Sequence, residues 1–153
     1  MATDLRNRIV YKNQTVDYDT LIQMKFAQLT GLEKLKAKDS DVDSIGKAIA
    51  GFTLTVLALV FFKSTKVGVS SGISSLVLSM AALGSASVIS NTQNGYNRLS
   101  TAGDYMYRFG ASKVTMEVAY LEYYDAANQT VIAVIQDVLA KSYTMPDGSV
   151  IKL

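Results

Sequence analysis

A chain of 153 residues, 49% apolar and 18% charged, has room for one core and is too apolar and too weakly charged to be a disordered chain. Its net charge of +2 comes from fifteen Lys and Arg scattered among thirteen acids, so no dense basic stripe is offered to phosphates and nucleic acid is not expected as a partner. With neither Cys nor His, the chain cannot form disulfides, thiolate nucleophiles, most zinc sites or any catalytic pair built on imidazole.

The first residues, MATDLRNRIVYKNQTVDYD, lack the basic, apolar and small-residue regions of a secretory leader and read as mature protein. Two β-branched or aromatic runs around Lys12, Asn13 and Gln14 predict a β-hairpin within residues 1–18. From 19 to 38, Leu21, Ile22, Phe26, Leu29, Leu32 and Leu35 recur every three or four residues, which predicts an amphipathic helix capped by Asp17 or Asp19. Asp39, Asp41, Asp43 and Ser44 then stand where carboxylates suit the exposed amides of a new helix. Ile45 to Phe62 carries Lys47 as its single charge, and residues 67–97 carry none over 31 positions. Together these segments predict an apolar helical hairpin over 44–90, connected through the polar Lys63–Ser64–Thr65.

A second amphipathic helix is expected over 98–142, interrupted near Gly110, with Val114, Val118, Leu121, Val131, Ile135, Val138 and Leu139 as its stripe. Pro146, Asp147 and Gly148 suit a tight turn, so residues 143–153 are expected to form a terminal β-hairpin. The expected fold is all-α: one domain, 1–153, a helical bundle around the apolar hairpin with short β-hairpins at the N- and C-termini.

A membrane-spanning helix needs roughly 20 mostly apolar residues. Ala48–Phe62 supplies fifteen, or eighteen if Ile45, Gly46 and a snorkelling Lys47 are included. The second segment is long enough, but Lys66–Ser90 holds eight serines, whose hydroxyls gain nothing from lipid without an acceptor. Gly68, Gly72, Ser75, Ser79, Ala82 and Ala86 recur at steps of 4, 3, 4, 3 and 4 residues, a seam of small side chains that suits close helix packing or an oligomer contact. Phe52, Val56, Leu59, Phe61 and Phe62, with Ile73, Leu76, Val77, Met80 and Leu83, form the bulky apolar set, lipid-facing or buried. Lys34, Lys36, Lys38 and Arg98 flank the hairpin's outer ends against Lys63 and Lys66 in its loop, which puts both termini in the cytoplasm if it spans.

Motifs for chemistry are incomplete. Asp39, Asp41 and Asp43 match positions 1, 3 and 5 of a calcium loop, but Ser44 and Ala50 replace its glycine and glutamate. The Ile45–Ala48 run resembles the end of a phosphate loop but lacks its first glycine and its Ser or Thr. Glu117, Glu122 and Asp125 read as a solvated helix face, with Glu117 paired to Lys113. Tyr105, Tyr107, Tyr120, Tyr123 and Tyr124 suit an interfacial aromatic belt or a subunit contact. Asn13 and Asn128 each begin a glycosylation triplet.

No catalytic residue, cofactor or metal is expected, and no small-molecule substrate. The reading is a non-enzymatic, self-associating, membrane-inserting protein, a pore, channel or conduit subunit of holin-like or virion-delivered kind or a small membrane effector, with the lipid bilayer and further copies of itself as partners. The alternative is a soluble structural subunit of a virion, filament or shell, its apolar hairpin buried between subunits.

Overall fold

The computed structural model describes residues 5–63, 65–125 and 130–153. The elements run β1 (Leu5–Asp17), α1 (Tyr18–Ala37), α2 (Val42–Ile49), α3 (Leu54–Phe61), α4 (Lys66–Leu83), α5 (Ser85–Phe109), β2 (Lys113–Asp125), β3 (Thr130–Thr144) and β4 (Val150–Lys152). The strands form one antiparallel sheet in the order β1-β2-β3-β4. The fold is therefore mixed α/β and not the all-α bundle expected, with the helices inserted between two strands that pair with each other.

The N-terminal hairpin is instead a single strand. β1 pairs with β2 without a register shift from Leu5↔Asp125 to Asp17↔Lys113. Asn13 can take one positive φ angle, but no glycine follows it to supply the second that a tight two-residue hairpin turn requires.

The helix expected over 98–142 stops at Gly110, whose left-handed backbone (φ 70) closes α5, and the chain continues as β2 and β3. Val114, Val118 and Leu121 do fall at helical spacing. Val114, Met116, Val118 and Tyr120 also alternate, however, and the segment is rich in branched and aromatic side chains that pack well on a pleated surface. Pairing with β1 on one side and β3 on the other decides the matter.

The apolar hairpin expected over 44–90 is divided into α2, α3, α4 and the start of α5. Phe62 takes a left-handed conformation (φ 58) that ends α3 after eight residues, and Gly84 (φ 85) parts α4 from α5. Leu54–Ala81 is the one stretch long and apolar enough to cross a membrane among the described residues, with mean hydropathy 1.4. The break at Phe62 leaves α3 only about 12 Å long, and 47% of the most apolar part of the stretch is buried inside the protein.

Local capping explains the helix starts. Asp17 accepts from Thr20 N at 2.8 Å at the head of α1, and Asp41 accepts from Asp43 N at 2.9 Å at the head of α2. Asp39 binds Ser44 Oγ at 2.6 Å and Lys34 Nζ at 3.0 Å, which holds its carboxyl down at about 2. These aspartates therefore act as caps and loop ties. The core joins Leu21, Met24 and Leu35 of α1, Ile45 and Ile49 of α2, Leu57 and Phe61 of α3, and Leu99 and Met106 of α5 to Val114, Met116 and Val118 of β2.

The β2–β3 hairpin has two unlike halves. Near Lys113, burial alternates: Val114, Met116 and Val118 are buried while Lys113, Thr115 and Glu117 are not. Farther along, Ala119–Leu121 and Ile132–Ile135 are buried in succession, so helices cover both faces. A register shift between Ala119 and Tyr120 leaves Gln136 as an extra residue in β3. Helical side chains complete the backbone there: Gln28 donates to Ile135 O at 2.8 Å and to Thr92 O at 3.0 Å, and Asn94 donates to Gln136 O at 2.8 Å. Gly95 is required at this junction because a Cβ on it would lie 1.9 Å from Ile135 O.

Candidate functional site

The bulky apolar set turns inward. Ile73, Leu76, Val77 and Met80 of α4 and Val56 and Phe61 of α3 are buried in the protein's own core, with Phe52, Leu59, Phe62 and Leu83 half-buried against it. In this fold their partner is protein. Nor does the small-residue seam run along one helix: Gly68, Gly72, Ser75, Ser79 and Ala82 lie on α4, while Ala86 lies past Gly84 on α5. Gly72 packs on β3, where a Cβ would come within 2.8 Å of Ile132. Two of the eight serines find acceptors at home: Ser70 Oγ donates to Lys66 O at 2.9 Å, and Ser74 Oγ donates to Ser40 O at 2.6 Å, tying α4 to the α1–α2 loop.

The five tyrosines do not share one helix. Tyr105 and Tyr107 lie on α5, and Tyr120, Tyr123 and Tyr124 on β2. Tyr120 is wholly buried; its hydroxyl accepts from Gln14 Nε2 and donates to Leu59 O, a carbonyl in the last turn of α3. Burial pushes the phenols of Tyr120 and Tyr123 up to about 12. Tyr105 stacks on Tyr143 at 4.2 Å between centroids, whereas Tyr107 is 79% exposed. Among the described side chains, a single belt is thus replaced by the buried Tyr120 and Tyr123, the half-buried Tyr105 and the outlying Tyr107.

Glu117 and Glu122 belong to a strand, so the helical pairing of Glu117 with Lys113 is lost. Glu122 instead pairs with Arg8 at 2.8 Å. Glu117 borders a pit of about 200 Å³ with Tyr11, Arg98, Ala119, Asp137, Val138 and Leu139, in which Arg98 and Asp137 form an ion pair at 3.2 Å. A larger cleft of about 460 Å³ opens where β1 turns into α1, lined by Gln14, Thr15, Val16, Asp17, Thr20, Thr55, Leu59 and Lys113. There Asp17 is held below its usual range by its hydrogen bonds from Thr20. Among the described residues no three acidic side chains gather to hold a metal ion. The triplet beginning at Asn128 lies outside the described residues.

What stays uncovered is the outer edge of the sheet. β1 runs for thirteen residues with β2 on one side; among the described elements only α1, which follows it directly, adds further packing of any extent. Beside that edge Ile9 is 44% exposed and Tyr11 62%, and across β2 Leu139 is 57% exposed. The other edge is β4, three residues held to the end of β3, with Val150, Ile151 and Leu153 exposed. Sequence reasoning missed β1 as a surface because it broke the strand at Lys12–Gln14; the absence of a glycine after Asn13 was the signal available.

Comparison with known proteins adds no relative: no family model, curated protein or solved structure matches the chain.

Proposed function

We propose that the protein is a non-enzymatic structural subunit that assembles with further copies of itself by strand addition at β1. The observation that carries this reading is the edge itself: thirteen residues, no proline, and no register shift against β2. Backbone N–H and C=O groups along such an edge require water or another strand, and a long regular edge is a template for the latter. Arg8 and Lys12 temper it without bending it. Addition of β4 of one copy to β1 of the next is a head-to-tail contact, which builds rings or filaments according to the rotation between copies. This corresponds to the soluble structural alternative, with one change: the apolar helices serve chiefly the subunit's own core. A permanent pore or channel span has less support, because the apolar stretch breaks at Phe62 and α4 buries its bulky face at home.

Proline scanning of β1, read by light scattering, tests the proposal. Adjacent residues of a strand aim their N–H groups at opposite edges. One of Tyr11→Pro and Lys12→Pro therefore removes only an outward donor, and that variant is expected to keep its circular dichroism and fall to monomer mass. The double variant Ile9→Lys/Tyr11→Lys, altered only at exposed side chains, is expected to weaken assembly as well. A monomeric wild-type chain, or an unchanged particle mass in the folded variants, would sink the proposal.

A further inference from the structure

Residues 44–103 contain no Asp or Glu; all thirteen acids lie outside this stretch, while Lys47, Lys63, Lys66 and Arg98 lie within it. Three of these cations stand on segments that adjoin, the end of α2 and the start of α4. Lys66 Nζ donates to Ala50 O at 2.6 Å, the Ala50 N–H bonds Lys47 O, and the Lys63 side chain reaches to within 3.6 Å of where a Cβ on Gly68 would lie. The end of α2, the α3–α4 turn and the first turn of α4 are thereby brought side by side. Apolar side chains stand out from the same region: Val67 is 74% exposed and Leu54 51%, with Phe52 half-buried between helices. From Val67 the outer side of α4 continues without a charge through Ser71 and Ser75 to Leu78, 71% exposed.

We propose that this face docks on the surface of an anionic lipid bilayer. Charge complementarity selects the occupant: Lys63 and Lys66 lie in a stretch of sixty residues without an acid and are drawn to negative headgroups, at about fivefold in affinity for each cation near the surface, with Lys47 adding less because Asp43 lies one turn before it on α2. The exposed Val67 and Leu54 favour lipid over nucleic acid, since apolar side chains gain by entering the headgroup boundary and gain nothing from a phosphate backbone. The helices stay folded on the sheet and lie along the membrane without crossing it. The inference does not depend on strand addition at β1.

The test is co-sedimentation of the full chain with vesicles of phosphatidylcholine alone or mixed with phosphatidylserine. The protein is expected to pellet with the mixed vesicles at low salt, to remain in the supernatant with phosphatidylcholine, and to be released by alkaline carbonate. Lys63→Ala is expected to lower partitioning about fivefold, and Lys47→Ala, one helical turn from Asp43, by less. Val67→Ser is expected to lower it about tenfold while leaving retention on heparin unchanged. These side chains are at least partly exposed, so circular dichroism should be unaltered. Equal partitioning to both vesicle types, or none to either, overturns the inference. So does wild-type binding by Val67→Ser, which marks a general polyanion patch, and so does resistance to carbonate, which marks a span.

Discussion

α4 and β1 differ in every respect that hydropathy measures, and what they leave uncovered runs the other way. α4 is the more apolar by far, yet Ile73, Leu76, Val77 and Met80 are all buried against the protein's own core. β1, LRNRIVYKNQTVD, is largely polar, yet among the described residues no strand pairs with its outer edge. The cause lies in the backbone. A helix satisfies its peptide groups internally except at its ends, so its side chains alone decide what it requires of neighbours. A strand aims half of its peptide groups to each side, and one neighbour completes only one side. Apolar surface marks a requirement that the same fold can meet; an unpaired edge is a requirement that no side-chain scale registers.

The sharpest way to break this comparison is to place the same charge on the two sides of α4. Leu76 is 2% exposed and Leu78, two residues on, is 71% exposed. Leu76→Lys buries an ammonium with no partner and is expected to cost about 4 kcal/mol or more, enough to unfold a marginally stable domain. Leu78→Lys is expected to stay within about 0.5 kcal/mol of wild type in urea unfolding. A helix surrounded by lipid would lose about 3 kcal/mol at either position. Similar losses in the two variants would therefore remove the distinction between an inner and an outer face.

How much of this was legible beforehand follows the same division between local and distant causes. The cap of α1 at Asp17, the aspartate caps before α2 and the turn at Pro146–Gly148 are set by neighbours within a few residues, and the sequence patterns locate them. The two faces of α4, bulky and small, were also visible as spacing; which of them meets the sheet was not. β1 and β2 were hidden because each makes sense only beside the other, with Asp17 facing Lys113 across the whole helical insertion. Val114, Val118 and Leu121 satisfied a helical period by coincidence, and the alternation of Val114, Met116, Val118 and Tyr120 carried the correct one. The edge at β1 was illegible for a further reason: openness depends on what fails to pack there, which no local pattern states.

A smaller effect is expected where helices replace a strand as partner of the sheet. At Gly95 the α5 backbone approaches β3 so closely that a Cβ would sit 1.9 Å from Ile135 O and 2.9 Å from Gln28 Nε2. Gly95→Ala gains helix propensity of about 1 kcal/mol, but it forces α5 off the bulge and strains the hydrogen bonds that Gln28 and Asn94 make to the Ile135 and Gln136 carbonyls. A net loss of about 2–3 kcal/mol is expected from chemical denaturation. Gly51, with nothing near its missing side chain, is the control, and Gly51→Ala should be close to neutral. Equal stability of the two variants would mean that α5 is not held against β3 at this point.

The smallest effect is a pH dependence that reports on the buried part of the sheet. Burial raises the Tyr120 phenol from its ordinary value of 10.0 to about 12. Below pH 10 the phenol is protonated in both the folded and the unfolded chain, so its contribution is fully present and flat. Between pH 10 and about 12 the unfolded chain releases this proton while the folded chain keeps it, so stability falls with rising pH. The loss attributable to Tyr120 by pH 12 is about 2 kcal/mol. Tyr120→Phe, which keeps the ring against Phe62 but loses the hydroxyl shared by Gln14 and Leu59, is expected to be less stable at pH 8 by about 1 kcal/mol. Its decline above pH 10 should also be shallower than that of wild type. If Tyr120→Phe declines above pH 10 as steeply as wild type, Tyr120 is not the phenol that burial in the sheet's covered part holds protonated.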